Sequence, residues 1–180
     1  MTMGAVASTN APLQVSTGNM YALAAFCILE GSPDLRDTHE QLKVAAVVVN
    51  RLNSSNWVRE FGSGILDQLF APGQFEVQPR YGLELDDFHS LDGATRALAA
   101  AKHSLSEQWA RELMISFMRD AADPTKYQAA ASAVGDATGF RGNGITNTFR
   151  QESPWDDDNL SSKQPSSIVV DWPGGDNPFF

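Results

Sequence analysis

Glu30 is the residue of this chain whose type and setting could do chemistry. It closes the apolar stretch Met20 to Leu29, and the residues three and four positions before it are Cys27 and Phe26, which at helical spacing lie beside it. Neither neighbour solvates charge. Burial disfavours an ionised carboxyl, and the negative end of a helix dipole pushes in the same direction. A carboxylic acid that keeps its proton near neutral pH can donate it to the leaving oxygen of a glycosidic bond. A glutamate facing water at a helix end is the ordinary alternative, so the elements around Glu30 must decide between the two.

A helix is expected over about 17–30, with Thr17 or Asn19 as N-cap, a buried stripe of Met20, Leu23, Ala24, Cys27 and Ile28, and Gly31 as the stop. Thr38-His39-Glu40-Gln41 reads as a capping box opening a second helix. From Leu42 to Leu52 that helix is apolar nearly all round, the pattern of a central helix. After Asn53 the chain is rich in turns, with Gly62, Gly64, Pro72, Gly73, Pro79 and Gly82. A third helix is expected over Leu91 to His103, with Ser106 to Arg111 as a separate turn, and Leu113 to Met118 and Ile145 to Phe149 read as short strands. Helices first and a little sheet later give an α+β domain.

Composition narrows the functional classes. The 180 residues carry 13 basic and 22 acidic side chains, a net charge of -9, with no basic stripe, which argues against a nucleic-acid binder that tracks phosphates. One cysteine, Cys27, excludes an internal disulfide framework and a multi-cysteine zinc site. His39, His89 and His103 lack metal-site spacing, and Asp86-Asp87 and Asp156-Asp157-Asp158 lack the glycine and terminal glutamate of a calcium loop, so neither metal nor cofactor is expected. Ser63 lies outside the pattern of a nucleophile elbow. No apolar run is long enough to span a bilayer, and Met1 to Gln14 does not read as a secretory leader. The chain divides into a polar arm at 1–16, a patterned body at 17–150 and a tail at 151–180. The tail's six acids and one lysine account for -5 of the charge, and its Trp155, Trp172, Phe179 and Phe180 read as anchors for docking.

Leu29-Glu30-Gly31-Ser32-Pro33-Asp34, then Gln41, then Val44-Ala45-Ala46-Val47-Val48-Val49-Asn50-Arg51 resembles the signature of the SleB-type cell-wall hydrolases, the spore cortex-lytic family. In that family a helix ending in Glu-Ala-X-Gly-Glu is followed by Gln, an Ala/Val-rich helix and Asn-Arg. Ala71-Pro72-Gly73-Gln74-Phe75 is similar to its Gln-Phe segment, Leu113-Met114-Ile115-Ser116-Phe117 to its later strand, and Gly142-Asn143 through Phe149 to its closing strand. The resemblance covers roughly 20–150. It departs at Asp34, where the family has a second Glu, in a loop to Gln41 about two residues longer, and at Tyr127 to Arg141, which has no counterpart.

The resemblance implies a small lysozyme-like fold and cleavage of peptidoglycan between N-acetylmuramic acid and N-acetylglucosamine. Members resemble lytic transglycosylases, in which one Glu, here Glu30, protonates the glycosidic oxygen and then helps the sugar's C6 hydroxyl close onto C1. Ordinary hydrolysis would need a second carboxylate, for which Asp34, Asp37 and Glu76 are the candidates. Gln74 is expected to hold an N-acetyl or hydroxyl group, Phe75 or Tyr81 to pack on a sugar face, and Ser116 to line the groove. Asn50 and Arg51 are expected to be structural, capping the central helix or bracing the site. A phage-encoded protein is the reading that joins wall cleavage to the apparent lack of a leader, either carried in the virion through contacts of the 151–180 tail or held in the host cytoplasm before lysis. A catalytically inactive virion subunit of the same fold is the alternative.

Overall fold

A computed structural model of the chain describes residue 15, residues 17–142 and residues 147–154. It contains α1 (Thr17–Gly31), α2 (Thr38–Leu52), α3 (Ser55–Phe61), α4 (Ile65–Leu69), α5 (Val77–Tyr81), a 3-10 turn (Leu85–Phe88), α6 (Leu91–Ala101), α7 (Glu107–Ala121) and α8 (Pro124–Val134). Two short strands, β1 (Gly139–Gly142) and β2 (Asn147–Arg150), pair antiparallel with Phe140 opposite Phe149 and Arg141 opposite Thr148. The architecture is mainly helical with one small sheet, as the α+β reading expects.

Two helices form the centre. Ala22 to Ile28 of α1 are all buried, as are Val44 to Arg51 of α2, so α1 is enclosed as fully as the helix whose sequence reads as central. α1 packs on α2, α4, α5, α6 and α7, while α2 also takes α3, α8 and β1. Small residues make this closeness possible. A Cβ on Gly31 would lie 2.8 Å from the Cα of Gln41, so the glycine that ends α1 is also the point where it touches the start of α2. Phe26 carries the aromatic part of the core, with Phe70, Phe75 and Phe88 around it at centroid distances of 5.1, 5.8 and 6.4 Å. Burial of one such ring contributes about 1.5–3 kcal/mol.

Two local expectations are corrected. The cap of α2 is Asp37, whose carboxylate accepts from the Glu40 amide. Thr38 is already helical and donates its hydroxyl proton to Asp120 Oδ2 at 2.6 Å, and the Gln41 amide turns away to the Leu35 carbonyl. Leu113 to Met118 is helical, in the middle of α7. Ser106 caps that helix by accepting from the Trp109 amide, and Ala110, Leu113, Met114, Phe117, Met118 and Ala121 form its buried face. The short apolar run is compatible with either element by itself, and the cap joins it to 106–111 as one helix. The Tyr127 to Arg141 stretch holds most of α8 and the start of β1. Pro124 occupies the first turn of α8, behind the Asp123 cap.

The two outer segments are only partly described. Val15 is buried in the core, and residues 151–154 lie against the body rather than apart from it, with Ser153 buried and Gln151 donating to Asp136 at 2.6 Å. The remainder of the arm and the tail from 155 lie outside the described residues, as do residues 143–146.

Candidate active site

The end of α1 opens onto a cleft of about 640 Å³ lined by Glu30, Arg51, Gln74, Phe75, Glu76, Pro79, Phe140, Arg141 and Glu152, with Gly73 at its rim. Each wall is a separate piece of chain. α1 brings Glu30, the last turn of α2 brings Arg51, the loop from α4 into α5 brings Gly73 to Pro79, and the hairpin with the four residues after it brings the rest.

Glu30 is half-buried. Its Oε1 accepts the backbone amide of Val77, the first residue of α5, at 3.3 Å. Burial pushes its carboxyl above the ordinary range, and the neighbouring Glu76 acts in the same sense. The Val77 and Glu76 amides and the Arg80 guanidinium oppose the shift without reversing it. Cys27, one turn back, is fully buried, and burial followed by the Glu30 charge drives its thiol well up. The setting therefore raises the proton affinity of an acid that faces an open cleft.

The hairpin fixes Glu30 from behind. Asn147 Nδ2 donates to the carbonyls of both Glu30 and Gly31, at 3.2 and 3.0 Å, satisfying two of the carbonyls that a helix leaves free at its end. Asn50 Nδ2 donates to the carbonyls of Gly135 and Ala137 at 2.9 and 2.7 Å, and Arg51 Nε donates to that of Thr138 at 2.7 Å. Asn50 and Arg51 together hold the approach to β1 on the end of α2.

Arg51 does more than brace. Its guanidinium lies over the Trp57 ring, 4.0 Å from the centroid, and 5.2 Å from that of Phe75. It is 3% exposed, and its Nη1 has no hydrogen-bond partner among the described residues. Burial lowers its pKa to about 10, against the opposing pull of Glu152 and Glu30.

Glu152 is a carboxylate in this cleft that the sequence reading assigned to the tail. Its backbone is pinned at three points: its amide donates to Thr138 Oγ1, and its carbonyl accepts from Thr138 Oγ1 at 2.7 Å and from Trp57 Nε1 at 2.9 Å. Its side chain lies over Gly139, where any Cβ would collide with the carboxyl group. Arg150 Nε approaches it at 2.7 Å and Arg141 Nε at 3.8 Å.

The other expected residues divide. Gln74 is half-buried at the cleft wall. Phe75 lines the cleft from beneath, being 2% exposed and packed edge-on to Phe26, so it shapes the floor more than it offers a free face. Tyr81 is outside the lining and near the cations Arg80 and Lys102. Ser116 is on α7 and accepts from Arg119, away from the cleft. Asp34 is exposed, bonded within its own turn to Ser32 and Arg36, and Asp37 is the α2 cap. Glu76 shares the cleft rim with Glu30. Among the described residues no group of His, Cys, Asp and Glu is arranged to hold a metal ion. The sequence expectations assign no role to Glu152, Arg141 or Asn147, because they contain a strand near β2 and none at β1. The alternation of Gly139-Phe140-Arg141 and Asn147-Thr148-Phe149-Arg150, apolar side in and cationic side out, is the signal that could have found them.

No family model, curated protein or solved structure matches this chain.

Proposed function

We propose that the protein cleaves the glycan strands of peptidoglycan with Glu30 as general acid and then base, in the manner of a lytic transglycosylase, on a lysozyme-like arrangement of helices and hairpin. The observation that carries the reading is the setting of Glu30: a carboxyl at a helix end, half-buried and shifted toward its protonated form, facing a cleft of about 640 Å³. The resemblance to SleB-type hydrolases supplies the substrate. In the first step Glu30 gives its proton to the glycosidic oxygen. In the second, as carboxylate, it takes the proton of the C6 hydroxyl as that oxygen closes onto C1, and no water is consumed. The Val77 amide remains bonded to Glu30 Oε1 and supports the anion formed between the two steps.

Glu152 gives a second reading its footing. A carboxylate paired with two guanidinium groups, in one cleft with an acid whose pKa is raised, is the division of roles that two-carboxylate hydrolysis uses. Incubating purified sacculi with the wild-type protein and with Glu30→Gln tests the shared part of both readings. Loss of at least about a hundredfold in solubilisation is expected on removing a general acid. Equal solubilisation by the two proteins would defeat the assignment of Glu30, and no release by either would favour a structural subunit of the same fold.

A further inference from the structure

The hairpin wall of the cleft carries more positive charge than it can use internally. Arg141 and Arg150 share one face of the hairpin, because Arg141 pairs with Thr148 and Arg150 with Gly139, while Phe140 and Phe149 point to the other. Glu152 lies between them over the space that Gly139 leaves open, and Arg51 lines the same cleft. Three guanidinium groups thus surround one carboxylate in a chain whose net charge is -9. Arg150 takes the short contact with Glu152. Arg141 is held loosely at 3.8 Å and its side chain is 68% exposed, so its planar fork of donors is available at the cleft surface. Arg51, nearly fully buried with an unpartnered Nη1, leaves a cation in the wall whose desolvation no direct ion pair offsets among the described residues. On the opposite side Glu76 is exposed and approached by Arg80 at 3.8 Å.

We propose that the face formed by Arg141, Arg150 and Glu152, backed by Arg51, is a subsite for an anionic substituent of the glycan. The group that fits is a carboxylate carried on the sugar chain. An approaching carboxylate takes the fork of Arg141 in a two-point contact, while Glu152 holds Arg150 and keeps the face open, and the field of Arg51 favours the negative charge from below. The inference rests on the reading of this cleft as a glycan-cleaving site, and it deepens it by giving Arg141 a role: it reads the carboxylate of a stem-free lactyl group or of an acidic peptide stem, which a neutral N-acetylglucosamine polymer lacks.

The test uses full-length Glu30→Gln, which binds without turnover, and one soluble peptidoglycan fragment in two forms, with its carboxylates free and with the same carboxylates amidated. Binding is followed by calorimetry at about 50 and 300 mM salt, which spans strong and weak screening. The free-carboxylate form is expected to bind roughly tenfold tighter, the size of one charge-assisted contact, and the gap is expected to narrow at the higher salt. Arg141→Gln in the same background is expected to bring the free form down toward the amidated one, and Arg141→Lys to restore only part of the difference. Equal affinity for the two forms, with no effect of Arg141→Gln on their ratio, would overturn the subsite and leave the glycan-cleaving reading standing. Failure of both forms to bind would overturn the subsite and the glycan-cleaving reading together.

Discussion

Asn147 on β2 donates one side-chain amide to the carbonyls of Glu30 and Gly31, so the hairpin, 116 residues further along the chain from Gly31, sets the backbone of the acid at the end of α1. A helix end frays unless its carbonyls find partners, and here the partner comes from the second strand of the hairpin. Asn147→Ala is therefore expected to cost about 1–3 kcal/mol of stability from the carbonyls left without it. It should also lower kcat more than it raises KM, since Glu30 loses its fixed position while the sugar contacts stay. Denaturant melts and steady-state kinetics on the same variant check both parts. A pure stability loss with unchanged kcat would make Asn147 a cap and nothing more.

The raised pKa of Glu30 has a stability consequence of definite sign. An acid whose folded-state pKa lies above its unfolded value binds more protons when folded in the window between them, so its contribution is complete below the unfolded pKa and is lost as pH rises through the folded one. The charges facing it are Glu76, Arg80 and Arg51, with Cys27 one turn back. Glu30→Gln carries no charge and escapes the penalty. Its melting temperature is expected to exceed that of the wild type at pH 7 and to converge on it near pH 4. A constant difference across that range would show that the surroundings of Glu30 do not raise its pKa. The same shift places the alkaline fall of wild-type activity above the ordinary carboxyl range.

Gly31 tests the contact between α1 and α2. A methyl group there meets the Cα and backbone nitrogen of Gln41, at 2.8 and 3.0 Å, as well as its Cγ at 2.9 Å, and backbone cannot rotate away as a side chain can. Gly31→Ala is expected to destabilise by about 1–3 kcal/mol through overpacking, against the usual gain from placing Ala at a helical position. Thermal melts read the outcome, and a stabilised variant would contradict the close approach.

Asp120 supplies a control far from the cleft. It is buried, accepts from Thr38 Oγ1 at 2.6 Å and from Lys126 Nζ at 2.9 Å, and lies 3.8 Å from Arg119. Partial burial acts against its ionised form, but the Thr38 and Lys126 hydrogen bonds and the two cations outweigh it and hold its carboxyl below the ordinary value. A depressed acid contributes stability above its unfolded pKa and loses it as pH falls through the folded one. Asp120→Asn should therefore cost about 1.5–3 kcal/mol at neutral pH, the range for hydrogen bonds to a charged group, with the difference shrinking toward pH 3 and no effect on cleavage.

What the sequence made legible follows the strength of its local signals. α1, α2 and α6 are readable because their apolar residues recur at helical spacing over three or more turns, and Glu30 is readable because it closes the first of these. Gln74 and Phe75 reach the cleft from a turn-rich stretch where only their position in an ordered set of motifs marks them. α7 was split in two because Leu113 to Met118 is apolar without a polar face, and only the distant cap at Ser106 shows that the run belongs to a helix. The hairpin was hardest: its four-residue strands carry little periodicity, and the placement of Glu152 depends on Gly139, Thr138 and Trp57, contacts across 13 to 95 residues that no local pattern encodes. Composition put Glu152 in an acidic tail, where packing shows it to be part of the cleft.

The most direct test of the account is the chemistry of the new ends. Sacculi digested by the wild-type protein and analysed by mass spectrometry should release fragments ending in 1,6-anhydromuramic acid, and Glu30→Gln, folded and at the same concentration, should release none. Reducing ends from the wild type would contradict the single-acid route and move the mechanism to a water attack with Glu152 as its second carboxylate, and the same fragments from both proteins would contradict the role of Glu30 altogether.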